Sequence, residues 1–254
     1  MPARTRRYSH REVDVAEGGP REITDVLPDS RAPGYLIIEV DGARFASLPA
    51  EAVASLGIRT GDRLGEERFA TLTGVADVEA AHQVALRLLA NRPRAVKDML
   101  RQLRNRGHNP SAAAAAVGRL EANGLLNDLE FACHFARVRS GKGHGPLRLI
   151  SDLLARGVDK RLAERAVHET IEAEEIDPQA QARALAEKRS GQLGNLPPET
   201  KRRRLLAYLG RRGFRGYEID EMVRSLLPPP GGVGSREWEW GAGQEPRPCR
   251  THSA

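Results

Sequence analysis

The sequence predicts a mainly α-helical protein that contains three tandem repeats of three helices each. The first observation is a helix-ending pattern that occurs three times, with apolar residues seven and four positions before a glycine. These residues are Leu100 and Leu103 before Gly107, Ile150 and Leu153 before Gly157, and Leu206 and Leu209 before Gly213. The second observation is that the same register continues beyond each glycine, with a valine ten residues later: Val117, Val167 and Val223. One supersecondary unit is therefore repeated three times.

Each repeated glycine is expected to end the second helix of its unit. An arginine directly before it can pair with the carbonyl end of the helix, and glycine accepts the left-handed conformation that lets the third helix fold back. Several helix starts are indicated by a cap or a proline: Pro93, Asn109-Pro110, Pro146 and Asp177-Pro178. The middle unit has a polar residue, Thr170, where the others have leucine, and Ile171 is a possible substitute.

The repeats are predicted over residues 77–126, 127–176 and 177–227. Because a unit of this length is not expected to bury its apolar face alone, neighbours should stack into an elongated, curved body. Residues 21–76 predict a small α+β extension. It is too short for much of a core, so it should lean on whatever comes next. Residues 1–20 predict a flexible charged arm, and residues 228–254 a disordered tail despite Trp238 and Trp240.

Within the extension, Asp41-Gly42 lies between two β-favouring runs and predicts a tight hairpin, since this pair accepts positive φ values. The following stretch predicts a short helix, with Pro49 in its first turn and Gly57 just past its end.

Composition limits the function. The 254 residues are 40% hydrophobic and 4% aromatic, with a formal charge of +6 and a pI near 9.7, which suits an acidic or polyanionic partner. The two cysteines, Cys133 and Cys249, do not suggest a disulfide framework, and no long apolar run or secretory segment is evident. We therefore expect a cytoplasmic protein that is monomeric and does not contact membranes.

Catalysis is not favoured by any motif. The loop "SGKGHGP" at residues 140–146 fits no phosphate-binding pattern and is interpreted as a flexible loop before a helix that starts at Pro146. Cys133, His134 and His144 lack metal-ligand spacing. We expect no catalytic residue, metal or cofactor, although an enzyme that uses this loop with His134 or His144 remains a third hypothesis.

Two basic surfaces are the candidate partner-binding sites. On an ideal helix at about 100° per residue, four cations of the first repeat lie roughly 130° from the apolar face of that helix. The corresponding helix of the last repeat contains seven cations and no acid between residues 200 and 217. The chosen residues are Arg94, Lys97, Arg101 and Arg104 in the first repeat, and Arg203, Arg204, Arg211 and Arg212 in the last. Phe214 is expected to pack against the helix end, whereas Tyr208 and Tyr217 remain open to base stacking.

Residues 91–140 resemble the RecX-type regulatory proteins. The matching residues are Arg92, Pro93 and Arg94, and then Leu126, Asp128, Phe131, Ala132 and Arg137. The resemblance extends over residues 77–227, and residues 35–76 resemble an extension that many members have. The sequence departs from the pattern at Ala95, Asp98 and Asn127, although Asn127 and Asp128 can still cap helices.

The resemblance implies a non-enzymatic modulator of the RecA recombinase. Similar proteins bind the helical groove of the RecA filament on single-stranded DNA, where they restrain its ATPase, its strand exchange or its extension. Inhibition is the expected effect here. The alternative is a basic helical protein that binds single- or double-stranded DNA directly.

Overall fold

A computed structural model of the chain describes residues 19–227, which form four strands and ten helices. The predicted tail and nearly all of the predicted arm lie outside the described residues. The strands are β1 (Arg21–Pro28), β2 (Tyr35–Val40), β3 (Ala43–Pro49) and β4 (Arg63–Leu64). The helices are α1 (Ala50–Leu56), α2 (Glu66–Asn91), α3 (Val96–Arg104), α4 (Pro110–Ala122), α5 (Asp128–Ser140), α6 (Pro146–Leu154), α7 (Lys160–Ala173), α8 (Pro178–Gln192), α9 (Pro198–Arg212) and α10 (Tyr217–Leu226).

The N-terminal extension is an antiparallel sheet with the strand order β3-β2-β1-β4. The predicted hairpin at Asp41-Gly42 is confirmed, because both residues have positive φ (51° and 76°) between the paired strands β2 and β3. The predicted short helix is also confirmed as α1, which ends at Gly57 in the left-handed conformation.

The extension has an apolar core of its own, which includes the first part of α2. Strand residues such as Ile23, Ile38 and Leu48 pack in one cluster with Leu72 and Ala76 of α2. Helix α2 continues for 26 residues because no proline interrupts the chain between its start and Pro93. The boundary drawn after residue 76 therefore falls inside α2. The extension is joined to the first repeat by this continuous helix and not by a shared apolar core, which differs from the expectation that it would lean on its neighbour for a core.

A buried polar network reinforces this contact. The Glu79 side chain, 5% exposed, accepts hydrogen bonds from the Tyr35 hydroxyl (2.8 Å), Gln83 (2.9 Å) and Arg119 (2.8 Å). Burial alone would raise the pKa of Glu79, but the hydrogen bonds from Gln83, Tyr35 and Arg119 outweigh it and lower that pKa. The carboxylate therefore ties a strand, α2 and α4 together.

The three predicted three-helix repeats are present, and each encloses its own apolar core. The C-terminal half of α2 packs with α3 and α4, α5 packs with α6 and α7, and α8 packs with α9 and α10. The fully buried residues of the second helices lie eight and four positions before the repeated glycines, whereas those seven positions before are half-buried. The fully buried residues are Met99 and Leu103, Leu149 and Leu153, and Leu205 and Leu209. A spacing of four keeps each pair on one helix face.

The repeated glycines have the same conformation, as predicted. Gly107, Gly157 and Gly213 have φ values of 88°, 89° and 91°. In each case the next residue donates its backbone N–H to the carbonyl four residues before the glycine, at 3.0 to 3.2 Å. Arg106 and Arg156, which precede the first two glycines, also donate to carbonyls of their own helices at 3.0 and 2.6 Å.

Two residues that the sequence left ambiguous are buried in these cores. Thr170 occupies its apolar position with 5% exposure, because its hydroxyl donates to the Ala166 carbonyl at 2.7 Å and leaves no unpaired polar group. Phe214 is 4% exposed and packs in the cluster that contains Leu209, which confirms its predicted role at the helix end.

The repeats contact one another through the glycine turns. A Cβ built on Gly157 would lie 2.7 Å from the Cβ of Lys97 in α3, and one on Gly213 would overlap Arg148 in α6. The glycine turn of each later repeat therefore sits against the start of the second helix of the repeat before it. Each core is formed mainly by the three helices of one repeat, which differs from the expectation that a repeat does not bury its apolar face alone. The second core also includes Ala95 of the first repeat. Curvature of the whole body stays a prediction.

Candidate partner-binding surface

The structure separates the four cations chosen in the first repeat. The Arg94 side chain is only 8% exposed and forms an ion pair with Asp98 at 2.9 Å, so the expectation that it is free to bind is wrong. Arg94 lies just before α3, and Asp98 is buried in the first turn of that helix, which draws the guanidinium inward. Arg101 pairs with the other oxygen of Asp98 but keeps 54% exposure. Lys97 and Arg104 are exposed, although the stem of Lys97 lies against Gly157.

The four cations chosen in the last repeat also divide into two groups. Arg203, Arg204 and Arg211 are exposed on α9 and form no ion pair within residues 19–227. Arg212 instead donates to the carbonyls of Lys142 and Gly143, both at 3.2 Å. It belongs to the contact between the second and third repeats, so its expected availability to a partner is wrong.

A basic cleft between the first two repeats was not predicted. It encloses about 670 Å³ where the start of α3 faces α5 and the end of α6. Five arginines line it, and Asp98 is its only acid among the described residues. These arginines are Arg92, Arg94, Arg101, Arg139 and Arg156. Since Arg94 and Arg101 already neutralise Asp98, the cleft has a positive potential.

Two phenylalanines of α5 lie on the wall of this cleft. The rings of Phe131 and Phe135 are 6.2 Å apart and nearly parallel, at 29°. The guanidinium of Arg156 lies 4.5 Å from the Phe135 ring centre and that of Arg139 lies 5.4 Å from it. Cation–π contact and the hydrogen bond of Arg156 to its own helix hold these two arginines in place.

Only part of the cleft has a signal in the sequence. Phe131, Phe135 and Arg139 follow one another at intervals of four, so their common face on α5 could have been found from spacing alone. Arg156 is one of the arginines that precede a repeated glycine, and nothing local indicates that it lies over Phe135. Its position depends on how α6 packs on α5.

The loop at residues 140–146 is part of the contact between the second and third repeats. The Gly145 N–H donates to the Arg212 carbonyl at 2.6 Å, and Pro146 begins α6 as predicted. Burial, followed by the charge of Arg139, lowers the pKa of His144 in this loop. Within residues 19–227, no three His, Cys, Asp or Glu side chains are grouped to hold a metal ion.

Comparisons with known proteins identify the helical repeats. The chain matches the first three-helix domain of RecX over residues 81–120, the second over 127–167 and the third over 175–223. A protein of Halorhodospira halophila is 36% identical over 56% of this chain and 84% of its own length. One of Xanthomonas axonopodis pv. citri is 38% identical over 56% and 85%, and one of Amycolatopsis mediterranei is 34% identical over 53% and 75%. All three are named regulatory protein RecX.

Solved structures support the same architecture. A crystal structure of regulatory protein RecX aligns with a TM-score of 0.66 and 18% identity, over 81% of this chain and 99% of that one. RecX from Lactobacillus salivarius aligns with a TM-score of 0.53 and 22% identity, over 59% of this chain and 96% of that one.

The fold and the three matched domains define a regulatory protein of tandem three-helix domains. The chain belongs to the RecX family. Within residues 19–227 no helix is both long and apolar enough to cross a membrane.

Proposed function

We propose that this protein binds the RecA recombinase filament and restrains its ATPase and strand-exchange activities, without a catalytic site of its own. Membership of a family of regulatory proteins is the observation that carries the proposal. We further propose that it acts in the cytoplasm as a monomer.

The distribution of charge supports attachment to a long partner. The cleft lies between the first and second repeats, and the exposed cations of α9 lie on the third. Two basic surfaces on one chain can contact successive subunits of a polymer, so that the second contact forms at a high effective concentration. We propose that Arg101 contributes at the cleft, together with Lys97 and Arg104, which are exposed on α3 outside it. Arg203, Arg204 and Arg211 contribute at the second surface.

The direct test is ATP hydrolysis by RecA filaments on single-stranded DNA, measured with and without the full chain. Hydrolysis is expected to fall as the protein is added, and an unchanged rate at excess protein would contradict the proposal. Neutralising the α9 surface by the triple change Arg203→Gln, Arg204→Gln and Arg211→Gln should weaken the inhibition. The matched control is Lys160→Gln, Arg161→Gln and Arg165→Gln, which removes three exposed cations from α7.

Direct binding to DNA is the second candidate function, since the exposed cations of α9 have no ion-pair partner in the described part of the chain. Titration of single- and double-stranded DNA against salt separates the two candidates. Tight binding without recombinase, falling steeply with salt, would favour the DNA-binding function. Negligible binding would exclude it.

A further inference from the structure

The cleft between the first and second repeats has the features of a built ligand site. Its two central guanidiniums are fixed before any ligand arrives, because both contact the Phe135 ring and Arg156 also donates to the Asp152 carbonyl. Fixed donors lose little conformational entropy when they bind an anion. Arg92, at the mouth of the cleft, is exposed and has no ion pair within residues 19–227.

The cleft also offers apolar surface beside these charges. Val138 is 43% exposed and follows Phe131 and Phe135 on the same face of α5, at intervals of four and three. Pro93 and Ala155 line the cleft as well and are exposed. An apolar side chain inserted between these residues would be removed from water next to the arginines, which is the usual composition of an anchoring pocket.

This arrangement favours a peptide over a nucleic acid. A base requires an open aromatic face to stack on, whereas Arg139 and Arg156 lie over Phe135 and the Phe131 ring stacks against it. The planar guanidinium matches a carboxylate with two parallel hydrogen bonds. The enclosed volume of about 670 Å³ fits a few side chains of a peptide.

We propose that the cleft binds an extended acidic peptide segment that inserts one bulky apolar side chain. Its carboxylates pair with Arg92, Arg139 and Arg156. Its apolar side chain lies against Val138, Pro93 and Ala155. The assignment of this segment to the recombinase rests on the proposed function, whereas the chemistry of the ligand rests on the cleft alone. Because the cleft is formed by two repeats, a bound segment would also hold them together.

Fluorescence anisotropy with the full chain tests the ligand chemistry. The probe is a fluorescein-labelled peptide Glu-Asp-Phe-Glu-Asp, compared with the same peptide after replacement of Phe by Ala, with Lys-Lys-Phe-Lys-Lys, and with labelled dT15. The acidic Phe peptide is expected to bind most tightly. The Ala version should bind about fivefold more weakly, or about 1 kcal/mol, which corresponds to partial burial of the Phe side chain.

Variants assign the binding to the cleft. The double change Arg139→Gln and Arg156→Gln should weaken peptide binding about tenfold, as expected for lost charge-assisted hydrogen bonds. Val138→Asp should also weaken binding without changing any arginine. The α7 triple variant defined above should bind within about twofold of the unchanged protein, since none of its three cations lines the cleft. Thermal unfolding followed by circular dichroism checks that each variant is folded.

The outcomes distinguish this inference from the proposed function. Cleft-dependent binding of dT15 that exceeds binding of the peptide, or peptide binding that is unchanged in the Arg139/Arg156 and Val138 variants, would overturn the inference. If the peptide does not bind while ATPase inhibition persists, the inference fails and the proposed function stands. If the peptide binds as expected but the protein leaves RecA hydrolysis unchanged, the proposed function fails and the ligand class of the cleft stands.

Discussion

The two contacts between repeats use the same local motif in different ways. In the first contact, the Gly157 turn lies against Lys97, and the preceding Arg156 hydrogen-bonds its own helix and faces the open cleft. In the second contact, the Gly213 turn lies against Arg148, and the preceding Arg212 reaches the loop of the second repeat. The first contact leaves an open basic cleft. The second is closed by the hydrogen bonds from Arg212 to Lys142 and Gly143, which we call the Arg212 latch.

The comparison shows that an arginine before a repeated glycine has no fixed role. The local geometry is the same in both contacts, but the partner depends on the neighbouring repeat. The Arg212 latch fixes the loop at residues 141–145 by hydrogen bonds to Lys142 and Gly143, and the Arg212 carbonyl accepts from Gly145. In the first contact the corresponding guanidinium, that of Arg156, lines the cleft instead.

Substitution of the repeated glycines should change the free energy of unfolding most. Gly213→Ala places a Cβ both in a left-handed conformation and against the backbone of Arg148, so we expect it to lower the free energy of unfolding by about 3 kcal/mol. Gly157→Ala meets the Lys97 side chain, which can shift, and should cost less. Gly107→Ala is the control, because it has the same φ and open space around it, and should cost about 1 kcal/mol.

Urea unfolding of the three variants measures their free energies of unfolding and so tests the expected order of the losses. Equal losses for Gly107→Ala and Gly213→Ala would mean that the conformation of the turn matters but the contact between repeats does not.

Removal of the Arg212 latch should have the next largest effect. Arg212→Ala loses two hydrogen bonds from a charged donor and a stacking contact with Tyr208 at 5.0 Å, with an expected cost of about 1 to 2 kcal/mol. Amide exchange at Gly145 should become faster, because its acceptor, the Arg212 carbonyl, belongs to the loosened contact. Arg156→Ala is the matched change in the open contact and should leave exchange at Gly145 unchanged. Acceleration by both variants would show that the two contacts are coupled.

A smaller effect is expected from a cap that crosses the first contact. The Asp128 carboxylate of the second repeat accepts from the Val96 N–H at the start of α3, because the methyl side chain of Ala95 cannot accept a hydrogen bond. Asp128→Ala should cost about 1 kcal/mol, the usual value of a helix N-cap. Asp159→Ala is the control, because it removes a cap of α7 that lies within one repeat.

Amide exchange of the α3 start separates these two caps. It should be faster only in Asp128→Ala. Equal exchange in both variants would remove Asp128 from the contact between repeats.

The smallest expected effect is a pH dependence confined to the second contact. Burial and the neighbouring charges of Arg139, Arg148 and Arg212 lower the pKa of His144, while Asp152 acts in the opposite direction. A lowered folded pKa means that the unfolded chain binds the proton first, so this stabilisation is present above pH 6.5 and is lost as the pH falls toward the folded value. Exchange at Gly145, corrected for the intrinsic rate, should therefore become faster from pH 7 to pH 5.

His144→Gln should remove most of this pH dependence. The first contact provides the internal control, since exchange at Val96 should change little over the same range. An unchanged pH response in His144→Gln would assign the effect to another group, such as the buried His82, whose pKa burial also lowers.

The repeats, their helix ends and the hairpin of the extension could be predicted from the sequence. These depend on interactions within about ten residues: the spacing of apolar side chains, the conformational freedom of glycine, and caps such as Asn127, which accepts from the N–H of Leu129 as the pattern indicated. The family resemblance was carried by the same local motifs.

Only the tertiary structure decided which cations are available. The sequence groups Arg94 with Arg104 in one basic set and Arg212 with Arg211 in the other. In the structure Arg94 is held by Asp98, and Arg212 is held by a loop of another repeat. The cleft brings Arg156 onto Phe135 across 21 residues of chain, which helical periodicity within one element does not encode. A side chain is free or paired according to what packs beside it, and that is set by long-range contacts rather than by its own helix.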